Sequence, residues 1–134
     1  MNNNFDIKNV MLDIDKSPIL LSDAIFKDVI DKMNELKLGI VCIINDNSKL
    51  IGILTDGDIR RRLIKSQKPI SALFLDEAQK YCVKDPQTVK PEMKLVDAIK
   101  LMGEKQIWDL PVTDSNNKLI GLLHLHTAIS KILN

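Results

Sequence analysis

The sequence predicts an α/β chain built from two copies of one helix–strand–strand–helix unit. Three observations predict it. Lys49-Leu50-Ile51-Gly52 recurs as Lys118-Leu119-Ile120-Gly121; the offset of 69 residues persists on both sides; and apolar residues in each copy pass from helical spacing to continuous strand-length runs. Phe26, Val29, Ile30 and Met33 match Leu95, Ala98, Ile99 and Met102, while Ile59, Leu63 and Ile64 match Ala128, Ile132 and Leu133.

In the first copy, Phe26, Val29, Ile30 and Met33 recur at three and four residues and share a helix face. Ser22 is the expected N-cap, Asp23 lies in the favourable first turn, and Gly39 is the expected breaker. Ile40–Ile44 is an apolar run of strand length, Asn45-Asp46-Asn47-Ser48 is rich in turn formers, and Leu50–Leu54 is a second strand, so the link is a hairpin. Thr55 then opens a helix through Leu63 and Ile64. The second copy repeats the order: a helix over Leu95–Met102, strands at Leu110–Thr113 and Leu119–Leu123 around the turn Asp114–Asn117, and a helix from about Thr127. The expected boundaries are 5–68 for the first unit, 69–79 for a connector carrying a short helix over Ile70–Gln79, and 80–134 for the second. Each copy alone would leave a sheet face bare, so the halves are expected to share a core.

The composition is that of a soluble globular chain: 134 residues, 45% hydrophobic, 28% charged. A net charge of +1 lacks the basic footprint of a general nucleic-acid binder, so any polyanion site must be local. Cys42 and Cys82 form no Cys-x-x-Cys, which suits a reduced cytoplasmic setting, and no apolar run approaches the roughly 20 residues that span a bilayer. The start, MNNNFDIKNV, lacks the regions of a signal peptide.

Thr55-x-x-Asp58 admits two readings. Spacing alone favours a capping box, in which each side chain serves the other residue's backbone N–H, over a polar pair at a strand end where a ligand could be held. His124-Leu125-His126 places two imidazoles on one face if the strand continues, but no third ligand is suggested and no metal site is expected. On the helix after Thr55, Arg61 and Arg62 fall away from Ile59, Leu63 and Ile64 towards solvent, while Arg60 sits in the apolar register where the second copy has Ile129. Arg60 is therefore expected to reach a partner: Asp58, a phosphate or another subunit. Trp108, the single indole, corresponds to Gly39 and suits either stacking on a base or packing at an interface.

The tandem units, the hairpin ending in Gly52-Ile53-Leu54-Thr55-Asp56-Gly57-Asp58-Ile59, and the Leu110-Pro111-Val112 step resemble a pair of CBS domains (the cystathionine-β-synthase domain family) from about Val10 to the C-terminus. Thr55-Asp56-Gly57-Asp58-Ile59-Arg60-Arg61, Met11 followed by Ser17-Pro18-Ile19, and Gly121-Leu122-Leu123-His124-Leu125-His126 look like the C-terminal CBS pair of arabinose-5-phosphate isomerases, enzymes of Kdo and capsule sugar synthesis. CBS pairs attached to sugar-nucleotide transferases share the Thr-Asp-Gly-Asp-Ile-Arg-Arg run. In the isomerases the chemistry belongs to a preceding phosphosugar-binding domain, to which nothing here corresponds, so no catalytic residue is expected. The chain reads as a free-standing module or as a piece of a longer enzyme.

The resemblance implies two pseudo-twofold-related β-α-β-β-α units of α/β (α+β) class, with a nucleotide held in the cleft between the repeats. It places phosphate at the Thr55 hydroxyl and ribose hydroxyls at the Asp58 carboxylate, with Gly39 and Ile40 lining a base pocket. The helix N-terminus would offer free N–H groups to the phosphate, and Gly57 would admit a close approach. In the second copy Thr55 becomes His124 and Asp58 becomes Thr127, so that site lacks the ribose carboxylate. The expected ligand set is Thr55, Asp58, Gly39, Ile40, Gly57, Arg60, Trp108, Pro111, His124 and Thr127. The implied function is that of a non-catalytic regulatory module, homodimeric, requiring no cofactor and binding AMP, ADP, ATP or a CMP-sugar. It would serve feedback on a sugar-phosphate isomerase or a sugar-nucleotide transferase domain, without nucleic-acid or membrane partners. The other reading is a CBS-pair assembly element with no physiological ligand.

Overall fold

The repeat folds as two hairpins of the same register. In the computed structural model, which describes residues 4–134, Ile40–Ile44 (β3) pairs antiparallel with Leu50–Thr55 (β4), and Asp109–Thr113 (β6) pairs with Leu119–His124 (β7). Ile40 lies opposite Thr55 and Asp109 opposite His124, and each ladder carries one irregularity at the matching step, Ile43/Ile44 and Val112/Thr113. The turns repeat as well. The Asn45 side chain accepts from the N–H groups of Asn47 and Lys49, and Asp114 accepts from those of Asn116 and Lys118. Ser48 and Asn117 take the left-handed conformation at the same point.

The remaining elements, in chain order, are β1 (Leu12–Asp13), β2 (Ile19–Leu21), α1 (Phe26–Leu36), α2 (Asp56–Lys65), α3 (Ile70–Leu75), β5 (Val83–Lys84), α4 (Leu95–Lys105) and α5 (Leu125–Leu133). Short 3-10 turns lie at Ile7–Asn9, Ile14–Lys16 and Ala78–Lys80. One sheet runs β2-β3-β4-β5, with β2 parallel to β3; the other runs β1-β7-β6. Periodicity places no strand at β1, β2 or β5, because two or three residues are too few to show a period; the leading strand of the β-α-β-β-α unit that the resemblance implies is supplied in the first copy by β2. The fourth residue of the repeated tetrapeptide is explained by these short strands. A Cβ on Gly52 would lie 2.5 Å from the Val83 carbonyl oxygen, and one on Gly121 would lie 2.5 Å from that of Leu12. Each edge strand lies close enough that only glycine fits opposite it.

Several local expectations are corrected. Helix α1 starts at Phe26 with Ile25, not Ser22, at its N-cap, and the Asp28 carboxylate accepts from the Ile25 N–H at 2.9 Å. Its end is made by Lys37 in the left-handed region, matched by Gln106 after α4, so Gly39 breaks nothing. The helix expected over Ile70–Gln79 stops at Leu75, and α5 starts at Leu125, directly after β7, so His124-Leu125-His126 does not continue the strand.

The chain forms two compact units that interleave in sequence. Residues 4–17 join Gln87–Asn134, and Pro18–Pro86 makes the other. The segment 5–17, expected in the first unit, therefore packs with the second copy, because β1 pairs with β7. The expected connector 69–79 is part of a core: Leu73 and Ala78 are buried with Phe26, Val29, Val41, Ile43, Leu54 and Ile59. The Tyr81 ring stands edge-on to Phe26, with centroids 5.7 Å apart. The other unit buries Ile7, Val89, Leu95, Ala98, Met102, Leu110, Val112, Leu123 and Ala128. Each unit thus has a core of its own. Residues 1–3, part of the stretch read as lacking a signal peptide, lie outside the described residues.

Candidate functional site

Strand β4 delivers Thr55 to the start of α2, and the capping box forms. The Asp58 N–H donates to Thr55 Oγ1 at 3.2 Å, while Asp58 Oδ2 accepts from the Thr55 N–H at 2.9 Å and from its hydroxyl at 3.0 Å. The other carboxylate oxygen, Oδ1, accepts from Arg61 Nη2 at 2.8 Å. Every N–H of the first turn has a partner: that of Asp56 donates to the Gly39 carbonyl (3.0 Å), that of Gly57 to Asp56 Oδ1 (2.9 Å), and that of Asp58 to Thr55. The free donors expected at this helix end are therefore already engaged, and two carboxylates, Asp56 and Asp58, occupy the positive pole of α2.

A Cβ at position 39 would lie 3.0 Å from Asp56 Oδ2, a tight contact with the end of an exposed side chain. At Gly57 a Cβ would lie 3.2 Å from both terminal nitrogens of Arg61, so what Gly57 admits in this structure is the Arg61 guanidinium. Ile40 is buried, with 1% of its surface exposed, which leaves its backbone rather than its side chain to face a ligand.

The arginines sort differently from the helical-wheel expectation. Arg61, expected in solvent, is 55% exposed and in addition pairs with Asp58; Arg62, also expected in solvent, lies 4.5 Å over the Tyr81 ring. Arg60 is exposed and makes no ion pair among the described residues. The wheel misleads because it assumes that Leu63 and Ile64 are covered, whereas they are 41% and 76% exposed. The i, i+3 spacing of Asp58 and Arg61 was the available signal.

Burial by itself would raise the Asp58 carboxyl, but the Arg61 hydrogen bond and those from Thr55 outweigh it and hold the group below its ordinary value. A carboxyl lowered in the folded state adds stability above its unfolded pKa, about 3.9, and loses it as pH falls through the folded value. The melting temperature of the wild type should thus fall more steeply below about pH 4 than that of Asp58→Asn. Parallel pH profiles of the two proteins would contradict this.

At the equivalent place in the second copy the chemistry differs. His124 Nδ1 lies 2.8 Å from Asp109 Oδ1, joining the residues that replace Thr55 and Ile40 across the ladder. A phosphate brought to His124 would meet this carboxylate. No side chain caps α5; the Leu125 N–H donates to the Trp108 carbonyl, repeating the Asp56-to-Gly39 bond. Trp108 is 70% exposed, Thr127 is exposed in the first turn of α5, and Pro111 is buried in β6 with its carbonyl accepting from Val89. The His124 and His126 rings lie 6.5 Å apart, and among the described residues no group of three His, Cys, Asp or Glu could hold a metal. Sequence reasoning missed Asp56 and Asp109. The second was detectable as a charge at the offset position of Ile40, directly across from His124.

The structure therefore brings Thr55, Asp58, Gly39 and Gly57 together around one strand end, adds Arg61, and leaves out Arg60. The CBS domain model matches residues 7–65 and 78–134. The chain is 33% identical over 124 residues to uncharacterized protein RP505 of Rickettsia prowazekii, covering 92% of this chain and 37% of that protein. It is 29% identical over 123 residues to arabinose 5-phosphate isomerase KdsD of Yersinia pestis, covering 92% and 36%. It thus spans about a third of the length of these relatives. Among solved structures, CBSX2 in complex with AMP superposes with a TM-score of 0.85 at 25% identity, over 97% of each chain.

Proposed function

This chain belongs to the CBS domain family, and on that premise we propose that it is a regulatory module that binds an adenosine-type nucleotide or a sugar nucleotide at the β4–α2 junction. One observation carries the reading: Asp58, an ionised carboxylate at a strand end, is ringed by donors in a fold that CBSX2 shares and in which CBSX2 is crystallised with AMP. A carboxylate can accept from both hydroxyls of a ribose, and Thr55 stands beside it with a hydroxyl. The setting proposed is feedback on a sugar-phosphate isomerase, to which the identity to KdsD points, or on a transferase of activated sugars. The CBS pair accounts for nearly all of the chain, and the module is proposed to be non-catalytic; turnover of arabinose 5-phosphate by this chain would overturn that. No helix among the described residues is long and apolar enough to cross a membrane, and a cytoplasmic location is proposed from the two free thiols.

A thermal-shift panel of AMP, ADP, ATP, CMP and a CMP-sugar tests the proposal. A ligand at 100 times its dissociation constant adds about 2.7 kcal/mol, so at least one member should raise the melting temperature by several degrees. The assembly reading is supported by Ile64 and Leu133, equivalent positions on α2 and α5 that are 76% and 67% exposed. No shift with any nucleotide, together with a stable dimer by light scattering, would favour it instead.

A further inference from the structure

We propose that Arg61 is the specificity-determining residue of this site, the group that makes it select a nucleoside phosphate over the bare nucleoside. The inference rests on the nucleotide reading above and adds to it a residue that the sequence had assigned to solvent. An anion arriving at the start of α2 finds no free backbone donor, since the N–H groups of Asp56, Gly57 and Asp58 are bonded to Gly39, Asp56 and Thr55. It finds instead two carboxylates, those of Asp56 and Asp58. Helix polarity alone cannot hold phosphate against them. The cation fixed at this end is Arg61, whose guanidinium lies against Gly57 and bonds Asp58 Oδ1 at 2.8 Å. Arg60 is not engaged there.

The same pair couples the two halves of a nucleotide. Asp58 already accepts three hydrogen bonds, two from Thr55 and one from Arg61, so a ribose diol must displace a donor. The Thr55 bonds close the capping box and are short-range, whereas Arg61 is 55% exposed on a flexible stem and is the donor that yields. A guanidinium released from Asp58 needs a new anion. A nucleotide supplies one in its phosphate, where the planar fork can bind two oxygens; a nucleoside supplies none. Arg61 therefore opposes ribose alone and rewards ribose with phosphate.

Calorimetric titration of AMP and of adenosine into the wild type, Arg61→Ala and Arg61→Lys tests this. The wild type should prefer AMP. Arg61→Ala should lose roughly tenfold to hundredfold in AMP affinity while adenosine binds as well as before or better, so that the preference collapses. Arg61→Lys should recover part of it, through charge without the bidentate fork. A purely structural role would weaken both ligands alike. Equal wild-type affinity for the two ligands, or a preference for AMP that survives in Arg61→Ala, overturns the role of Arg61 and leaves the nucleotide reading standing. A wild type that binds neither overturns the adenosine-type reading of the site, and with it the role given to Arg61.

Discussion

Alanine at Gly121 is expected to cost about 2–3 kcal/mol of stability, and alanine at Gly52 a similar amount, although each change adds a single carbon. The cause is backbone against carbon. The new Cβ of Gly121 would stand 2.5 Å from the Leu12 carbonyl oxygen and 2.9 Å from Met11 Sδ, and that of Gly52 would stand 2.5 Å from the Val83 carbonyl oxygen and 2.7 Å from Cys82 Sγ. A side chain could swing away, but a carbonyl in a ladder cannot move without pulling β1 from β7, or β5 from β4. Gly103, in the exposed interior of α4 with nothing within 4 Å of its Cβ position, gives the opposite sign. Gly103→Ala should stabilise by about 0.5–1 kcal/mol, through helix propensity alone. Urea midpoints of the three variants measure the contrast; unchanged midpoints for Gly52→Ala and Gly121→Ala would show that the edge strands are not held so closely.

Asp58→Ala is expected to have the largest effect on ligand response. Without nucleotide it removes half of a capping box, at a cost of about 1 kcal/mol. With AMP at 100 times the wild-type dissociation constant, it also forfeits about 2.7 kcal/mol of binding stabilisation, so the gap between the two proteins widens to about 4 kcal/mol. Asp58→Asn separates the two losses: it retains a side-chain acceptor for the Thr55 N–H while losing the charge that Arg61 pairs with. If Asp58→Ala kept the full AMP-dependent shift, the ribose would have to be held elsewhere.

The hairpins and main helices were legible because their apolar residues report a period: Phe26 to Met33 and Leu95 to Met102 on helix faces, Ile40–Ile44 as a run. The repeated Gly52 and Gly121 were visible, but their reason was not. It lies in carbonyls of Val83 and Leu12, on two-residue strands that carry no pattern of their own. The pairing of β1 with β7 is a tertiary choice of the same kind, which is why the packing of 5–17 with the second copy could not be read from its place in the chain. At the site, Thr55 and Asp58 could be read from spacing. Arg61 was hidden by a helical wheel that treated Leu63 and Ile64 as a buried face; of the first-turn N–H groups, that of Asp58 is engaged by the capping box the spacing announces, whereas the bond from Asp56 to the Gly39 carbonyl spans the hairpin and no local motif encodes it.

The most direct test of the account is a crystal structure of this chain grown with AMP. The ribose hydroxyls should lie within hydrogen-bonding distance of the Asp58 carboxylate, with the Arg61 guanidinium turned from Asp58 to the phosphate. AMP bound away from Asp58, or bound there while Arg61 keeps its 2.8 Å bond to Asp58 and leaves the phosphate untouched, would contradict it.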